Sequence, residues 1–316
     1  MKPVRATVAA IDGVLLLDKP SGLTSNAALQ RVKRLLGAAK AGHVGTLDPL
    51  ASGLLPVCLG EATKFSGQML AADKTYEADV LLGATSTTGD IEGEITARRA
   101  VSASMPEIEA ALEKFRGNIL QTPPMYSALK RDGKPLYAYA RAGETVEREP
   151  RPVTIHALDM AACELPHLQL SVRCSKGTYI RVLAEDFGAA LGCGGLLAGL
   201  RRTAVGAYVI SQATSLAALE AMDPQERHAR LLPSDSLLSR LQTLRLDTAA
   251  SRLLVTGRRL AMPDVGAGFY RLYGANGGFL GLGEVGQGEL LAVRLMATHA
   301  SQESGAQGGP QATKIA

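Results

Sequence analysis

The segment from Gly42 to Gly53, GHVGTLDPLASG, holds the residues whose types and spacing could do chemistry. Asp48 precedes Pro49, and a residue before proline is pushed toward an extended conformation because the α region is sterically disfavoured there. The flanking glycines permit close approach, so the carboxylate could act on a substrate backbone or a sugar. The alternative is an Asp-Pro turn that only ends a loop, and the spacing alone favours this turn.

The elements around this segment would position it. Val14 to Leu17 predicts a short buried strand, and Leu54 to Leu59 predicts a central strand. Between them, Thr24-Ser25 offers an N-cap for a helix that runs to Gly37. The residues 38–53 show no periodicity. A loop that leads into a buried strand is where a rigid scaffold can display reactive groups.

Further polar residues fall near the ends of predicted elements. Tyr76 lies in a predicted strand, Thr75 to Leu82, and Asp90 lies in the polar loop that follows. The alternating residues Leu168 to Cys174 predict a half-buried strand, and a helical pattern begins at Ile180. Tyr179 and Arg181 therefore fall at a strand-to-helix junction. A helix is also predicted over Pro106 to Phe115, with proline near its start.

Two later segments differ in composition from the rest. Residues 123–152 contain five prolines and mixed charge, which indicates an arm outside the core. Short apolar runs separated by glycines between Pro263 and Leu290 predict a small all-β module. The low-complexity tail 301–316 is predicted to be disordered.

Bulk composition narrows the classes of function. The chain has 316 residues with a formal charge of +4 and a pI near 8.9, a mild bias toward polyanions that does not by itself establish RNA binding. The four cysteines form no CxxC pair, so we expect no zinc site, no disulfide framework and a reducing cytoplasm. No signal peptide, membrane span or GxxxxGK[ST] phosphate loop is found.

The run GHVGTLDPLASGLLPVCLGEATKF resembles the signature of the bacterial tRNA pseudouridine-55 synthases, the TruB family. The resemblance covers residues 11 to 235 in matching order and spacing, and the motif set is highly specific. Its other parts are LDKPSG at 17–22, KTY at 74–76, TGD at 88–90, KGTYIR at 176–181 and LRRT at 200–203. The C-terminal module resembles the family's RNA-binding appendage more weakly.

The resemblance implies an α/β (α+β) pseudouridine synthase fold. We expect a mixed, mostly antiparallel sheet flanked by helices, with a small C-terminal all-β module like a PUA domain. The implied division is a catalytic domain over 1–245 with an RNA-clamping insertion at about 123–152, an RNA-binding module over 246–300, and the tail 301–316.

The resemblance implies that Asp48 is the nucleophile, with attack at C6 of the uracil or at C1′ of the ribose both left open. Either route needs an ionised carboxylate in a pocket that excludes water, and a buried carboxylate alone would have a raised pKa. The family pattern places Arg181 beside it, and arginine stays protonated and can bind a carboxylate through two hydrogen bonds. Without the motif, Arg181 would be assigned to a surface ion pair. No cofactor and no metal are expected.

The remaining pocket residues also come from the resemblance. Tyr76 would stack on the flipped uracil, Tyr179 would contact the substrate and support the Arg181–Asp48 pair, and Leu200 would form an apolar wall. His43 would stack within the T-loop and fill space left by the flipped base. From the residues alone, Tyr76 could equally be a core residue, whereas Leu200 would be assigned to the core and His43 to a solvated side chain.

Supporting and RNA-contacting roles complete the expected site. Lys19 and Pro20 would support the active-site loop from behind, and Asp90 would help to organise the substrate or Arg181. Phosphate contacts supply affinity and positioning but little sequence information. Each candidate for such a contact could individually be only a solvated charge, and the candidates are Lys64, Lys130, Arg131, Arg141, Arg201 and Arg202.

The expected partner is the T-loop and T-arm of tRNA. The protein is expected to be a cytoplasmic monomer that does not bind a membrane. Three alternatives remain open. These are a guide-RNA-dependent synthase with the same Asp motif, a tRNA-folding factor with incidental catalysis, and a glycosidase that pairs Asp48 with Asp90. Modification of tRNA by the purified protein alone would distinguish a stand-alone synthase from a guide-dependent one. The variant Asp48→Asn would distinguish the synthase from a folding factor, because a folding factor should keep its effect without the carboxylate.

Overall fold

The computed structural model describes residues 11–127 and 129–297, which form nineteen strands and eight α-helices. The strands are β1 (Gly13–Lys19), β2 (Ala41–His43), β3 (Ser52–Leu59), β4 (Lys74–Leu82), β5 (Ala84–Ser86), β6 (Ile95–Arg98), β7 (Gly117–Gln121), β8 (Lys130–Arg131), β9 (Lys134–Pro135), β10 (Arg151–Glu164), β11 (His167–Cys174), β12 (Gly195–Val205), β13 (Tyr208–Val209), β14 (Thr214–Ser215), β15 (Gln242–Arg245), β16 (Leu260–Ala261), β17 (Gly268–Tyr273), β18 (Phe279–Gly286) and β19 (Glu289–Leu295). The helices are α1 (Ser25–Leu35), α2 (Ser66–Leu70), α3 (Met105–Lys114), α4 (Leu136–Arg141), α5 (Ile180–Ala190), α6 (Leu216–Ala221), α7 (Pro224–Ala229) and α8 (Thr248–Val255).

Ten strands form the main sheet, in the order β14-β1-β3-β12-β4-β11-β10-β7, with β2 beside β3 and β13 beside β12. Only the β1–β14 and β3–β12 pairs within this described sheet are parallel. The predicted mixed, mostly antiparallel sheet is confirmed. β3, the apolar strand that follows the Asp48 segment, lies between β1 and β12 and is buried over almost its whole length.

The helices that position the site begin where the sequence predicts. Thr24 caps α1, and its hydroxyl accepts a hydrogen bond from the Ala27 amide at 3.1 Å. In α5, the apolar face with Leu183 and Phe187 packs into the same core as the buried residues of α1. Both helices therefore cover one face of the main sheet and fix the two segments that carry Asp48 and Arg181.

A second sheet, in the order β15-β17-β18-β19-β16, is built from the C-terminal segments and has its own small core. It packs against the main body through an aromatic cluster, in which the ring of Phe279 lies 5.3 Å from that of Phe65 and 5.6 Å from that of Tyr273. The glycine-separated apolar runs thus form the predicted small all-β module.

The proline-rich arm leaves the sheet after β7 and returns at β10. Within its described residues it contains the β8–β9 pair and α4, and Leu136 is buried at its base. The tail 301–316, predicted to be disordered, lies outside the described residues. None of the helices in the described ranges is long and apolar enough to cross a membrane.

Candidate active site

The loop that carries Asp48 joins β2 to β3 and is held from below by α1. The hydroxyl of Ser25, the first residue of α1, accepts from the Leu47 amide and donates to the Leu47 carbonyl, both at 2.8 Å. The Gly22 amide donates to the Pro49 carbonyl at 2.7 Å. Ser25 and Leu47 are both buried, so the residue before Asp48 has a fixed backbone.

Gly53, at the start of β3, is the glycine that the loop requires. Its φ is +100°, and an added Cβ would lie 2.3 Å from the backbone oxygen of Arg202. A side chain would therefore both strain the backbone and push β3 away from β12. This close approach brings the Asp48 loop next to β12.

Arg181 lies in the first turn of α5 and joins three segments of the chain. Its Nε lies 3.0 Å from Oδ2 of Asp48. Its two terminal nitrogens donate to the Thr88 carbonyl at 3.0 Å and to the Tyr126 carbonyl at 2.7 Å. The arginine side chain is 6% exposed and the aspartate side chain 43% exposed. The buried guanidinium thus presents a cation to a carboxylate that remains accessible.

Asp90 is a second carboxylate near the same guanidinium. Its Oδ2 lies 3.7 Å from Nε of Arg181, while its Oδ1 accepts from the Thr88 hydroxyl at 2.6 Å and from the Glu92 amide at 3.1 Å. Asp90 is buried and holds the loop whose Thr88 carbonyl binds Arg181. The predicted link between Asp90 and Arg181 thus has a geometric basis.

Two opposing effects act on the Asp48 carboxyl. Burial is the larger and raises its pKa above the ordinary value, and the charge of Asp90 adds to this. The charge and hydrogen bond of Arg181 lower the pKa, as does the more distant charge of Lys19. The net effect is a raised pKa for Asp48, because Arg181 offsets only part of the effect of burial. The carboxyl group therefore becomes protonated at a higher pH than an ordinary aspartate does.

Asp48 opens into a cleft of about 590 Å³. Tyr76 from β4, Tyr179 from the end of the α5 junction and Leu200 from β12 all line it, together with Arg181. The cleft thus places two aromatic rings and an aliphatic wall around one carboxylate. Such a lining suits a flat, partly polar group such as a nucleobase. The structure therefore brings together, from four separate segments, five of the six residues predicted for catalysis and substrate binding, and His43 is the one that does not line the cleft.

Tyr76 is buried at the floor of this cleft beside the Arg202 guanidinium. Burial raises the pKa of the Tyr76 hydroxyl, and Arg202 opposes this rise through its charge and a hydrogen bond. Arg202 also donates from Nε to the Leu54 carbonyl at 2.8 Å and from Nη2 to the Gly45 carbonyl at 3.0 Å. It is 1% exposed.

This burial corrects one expectation. Arg202 was a candidate for a phosphate contact, but its side chain lies under the cleft with its donors turned to backbone carbonyls and to Tyr76. It cannot meet an RNA backbone on the surface, and that assignment is wrong. The sequence held one sign of this, because adjacent residues in a strand point to opposite faces, so Arg201 and Arg202 could not both lie on the same surface.

The other candidate cations differ in their surroundings. Arg201 binds Asp18 at 2.7 Å, and Lys64 donates to the Leu295 carbonyl at 3.0 Å and pairs with Glu61. The arm carries the three exposed candidates, which are Lys130, Arg131 and Arg141. Their contacts with phosphate stay predictions.

Two buried lysines lie behind the site. Lys19 donates from Nζ to the carbonyls of Pro20 at 2.8 Å and Leu23 at 2.6 Å, and burial lowers its pKa to about 8. Lys74 donates to the carbonyls of Leu70 and Ala72, lines the cleft and has its pKa lowered to about 8 by burial. Lys19 thus ties the turn next to the Asp48 loop, as expected for a supporting residue.

His43 is the last residue of β2, and it is not one of the described residues that line the cleft. Burial and the charge of Arg202 both lower its pKa, so the ring is neutral at neutral pH. A neutral, flat, half-buried ring at the entrance to the Asp48 loop is compatible with stacking on a base. Stacking by His43 stays a prediction.

Several site residues have no signal in the sequence. Ser25 was recognised only as part of a helix cap, and nothing marked Gln121, whose side chain binds the Tyr179 backbone, or Tyr126, whose carbonyl accepts from Arg181. Thr88 lies in the TGD motif, but the motif did not indicate that its carbonyl accepts from Arg181. Such contacts depend on which loops the fold brings together. Lys74 adjoins Tyr76 in the KTY motif, which is the one signal that could have found it.

A larger cavity of about 710 Å³ lies across Leu200 from the cleft. Its polar residues include Glu77, Asp79 and Arg201, with the two acids on the opposite face of β4 from Tyr76. Asp48 and Arg181 are not among its lining residues in the described chain. Size alone therefore does not locate the chemistry, and the smaller cleft is the candidate active site.

Family models match most of the chain. The "TruB family pseudouridylate synthase (N terminal domain)" model matches residues 33–180, the "tRNA pseudouridylate synthase B C-terminal domain" model matches 181–239, and the "Pseudouridine synthase II TruB, C-terminal" model matches 243–296. Together with the fold and the carboxylate–arginine site, these matches define the protein as a pseudouridine synthase.

Relatives that match nearly the full length of the chain carry the same family name. A "tRNA pseudouridine synthase B" of Burkholderia mallei (strain NCTC 10247) is 55% identical over 92% of this chain and 99% of its own length. One of Azoarcus sp. (strain BH72) is 56% identical over 92% and 97%. The chain belongs to the TruB family of pseudouridine synthases.

Solved structures share the fold. The structure described as "Crystal Structure of a Cbf5-Nop10-Gar1 Complex" matches with a TM-score of 0.69 and 25% identity, over 90% of this chain and 84% of that one. A structure of "H/ACA RNP bound to a substrate RNA containing 2'-deoxyuridine" has a TM-score of 0.66 at 23% identity, over the same shares of the two chains, and shows a common fold.

Proposed function

We propose that this chain converts uridine 55 in the T-loop of tRNA to pseudouridine, with Asp48 as the nucleophile. Membership of the TruB family makes it a tRNA pseudouridine synthase, an isomerase. The observation that carries the assignment of Asp48 is its 3.0 Å contact with a buried arginine at the edge of a cleft lined by two tyrosines. The reaction breaks the bond from N1 of uracil to C1′ and forms a bond from C5 to C1′, while C5 loses its proton and N1 gains one, so that the composition is unchanged.

Arg181 keeps the nucleophile available in this proposal. Its charge opposes the rise in the Asp48 pKa caused by burial, so more of the carboxylate is ionised near neutral pH than burial alone would allow. Because its other donors are held by the Thr88 and Tyr126 carbonyls, the guanidinium cannot swing away from Asp48. Asp90 orders the loop that contains Thr88.

The flipped uracil would lie between the side chains that line the cleft. Tyr76 would stack on it near the C5 proton that must leave, Tyr179 would contact it from the α5 side, and Leu200 would close the apolar wall. The support for this arrangement is that all three line the same cleft as Asp48. Burial and stacking on aromatic rings offset the few kcal/mol, roughly, that extrusion of a base costs.

The rest of the tRNA would be held by shape and charge. His43 would stack in the vacated space of the T-loop, and the arm at about 123–152 would clamp the loop with its exposed Lys130, Arg131 and Arg141. Contacts of this kind recognise the shape of a folded loop more than its sequence. Lys64 and Arg201 remain candidates for the phosphate backbone outside the arm.

The division of the chain is part of the proposal. The division into a catalytic domain over 1–245 and an RNA-binding module over 246–300 is supported by the separate five-stranded sheet, except at the boundary. Because β15 (Gln242–Arg245) belongs to that sheet, we propose that the module begins by Gln242 rather than at 246. Residues 1–10 and 298–300 lie outside the described ranges. We propose that the protein works as a cytoplasmic monomer without a cofactor.

Pseudouridine mapping at single-nucleotide resolution tests the proposal. The purified protein is incubated with an unmodified tRNA transcript, without any guide RNA. The expected result is one new pseudouridine, at position 55. Tight, salt-dependent binding without modification would contradict a stand-alone enzyme and favour the guide-dependent or folding-factor alternatives.

A further inference from the structure

Gln121 lies at the base of the arm and is almost completely buried. It is the last residue of β7 and is 2% exposed. Its partner across the ladder is Arg151, the first residue of β10. The chain therefore leaves the sheet for the arm directly after Gln121 and returns to the same place.

The Gln121 side chain binds both backbone groups of Tyr179. Its Oε1 accepts from the Tyr179 amide at 3.0 Å, and its Nε2 donates to the Tyr179 carbonyl at 3.3 Å. A primary amide supplies one donor and one acceptor at the same reach, whereas a carboxylate supplies only acceptors. The contact thus fixes the backbone of Tyr179 in the way that a neighbouring strand would.

Tyr179 is the N-cap residue of α5, and Arg181 follows two residues later. The position of Arg181 therefore depends on where this cap is held. The same guanidinium binds Asp48 and the carbonyl of Tyr126 in the arm. Gln121 and Tyr126, one on each side of Pro123-Pro124, thus both connect the arm to the cleft.

We propose that Gln121 is a positioning residue for the isomerisation: its amide sets the backbone of Tyr179, and through it the approach of Arg181 to Asp48, from the base of the arm. This inference rests on the proposed function. Gln121 does not line the cleft or contact substrate, so its effect falls on the rate of the bound complex rather than on the affinity for tRNA.

The variant Gln121→Glu tests this at constant size. At neutral pH the introduced carboxylate has no donor for the Tyr179 carbonyl, and we expect the single-turnover rate at saturating tRNA to fall about 10- to 100-fold with unchanged Kd. Protonation restores a donor, so the ratio of variant to wild-type rate should rise as the pH is lowered. Burial raises the pKa of the introduced group, while the nearby charges of Arg151 and Arg181 oppose the rise.

The control is Asn118→Asp, the same amide-to-acid change in the same strand, where the side chain is exposed and its oxygen accepts from the Thr154 hydroxyl. It should keep the wild-type rate at every pH. The variant Gln121→Met lacks both the amide donor and the carbonyl acceptor of glutamine, so its rate should fall and should not recover at low pH. If the Glu variant does not fold, the Met variant serves as the test. A wild-type rate in either Gln121 variant, or a loss confined to Kd, would overturn the role of Gln121. An inactive wild-type protein would instead contradict the proposed function.

Discussion

At the scale of single residues, the site depends on a difference in exposure between two opposite charges. Arg181 is buried and fixed by two carbonyls, whereas Asp48 is open to the cleft on one side. A buried cation that is already held costs little further ordering when a substrate enters. The carboxylate can therefore react without losing its partner.

Acid should inactivate the enzyme at a pH above the ordinary pKa of an aspartate. In the proposed function Asp48 must be ionised to attack. Its pKa is raised by burial and by Asp90, so we expect the single-turnover rate to fall as the pH drops through this raised value. Asp90→Asn removes one of the charges that raise it. We expect the acid limb of the pH–rate profile to move to lower pH in this variant.

The matched control for this shift is Glu92→Gln, which neutralises an exposed acid two residues away in the same loop. Its acid limb should coincide with that of the wild type. An acid limb that stays in place in Asp90→Asn would show that Asp90 does not act on the charge of Asp48.

The resemblance to the TruB family pointed to Asp48, Tyr76, Tyr179 and Arg181, and all four line one cleft in the structure. The sequence could not locate Gln121, whose role depends on the carbonyl and amide of a residue 58 positions later in the chain. It also misplaced Arg202, because a basic residue inside a strand is normally assigned to the surface. Side-chain contacts to distant backbone are set by tertiary structure and leave no local pattern.

At the scale of elements, the reactive loop is fastened to α1 by one hydroxyl. Ser25→Ala would leave the buried amide and carbonyl of Leu47 without their partner, and we expect a loss of about 2 kcal/mol in the free energy of unfolding. Activity should fall as well, because Asp48 follows Leu47 directly. Denaturant-induced unfolding and single-turnover rates measure the two effects.

Ser211→Ala, at an exposed position, is the control and should change the free energy of unfolding by less than about 0.5 kcal/mol. Equal stability of the two variants would mean that the Ser25 hydroxyl does not hold the loop.

The predicted elements of the catalytic region were confirmed because their apolar periodicity is strong and their caps are present. β1, β3, β4, β11, α1 and α5 all lie within two residues of the predicted bounds. The long strands β10 and β12 were not predicted, and neither were short pieces such as β2, β5 and β14. The short pieces contain two or three residues each and form only because a neighbouring strand offers its edge, which no window of sequence can reveal.

At the scale of the whole molecule, the C-terminal sheet is joined to the main body by packing and by hydrogen bonds. Phe279 contacts both Phe65 and Tyr273, and Arg271 donates from Nε to the Leu241 carbonyl at 3.1 Å. An interface of this kind would hold the C-terminal module at a constant distance from the cleft. The composition predicted the module but not the surface by which it docks.

Phe279→Ala should therefore destabilise the protein by about 2 to 3 kcal/mol, since it removes the ring that connects the two units. Phe269→Ala is the matched control, because Phe269 lies in the same sheet with 42% of its surface exposed. Its effect should stay below about 0.5 kcal/mol. Equal effects in denaturant unfolding would contradict a packed interface.

The most direct test of the account is the Asp48→Asn variant, compared with the wild type on one tRNA transcript for both binding and pseudouridine formation. We expect the variant to bind tRNA with a similar Kd and to form no pseudouridine at position 55 in a single turnover. Pseudouridine formation by Asp48→Asn at a rate near that of the wild type would contradict the assignment of Asp48 as the nucleophile.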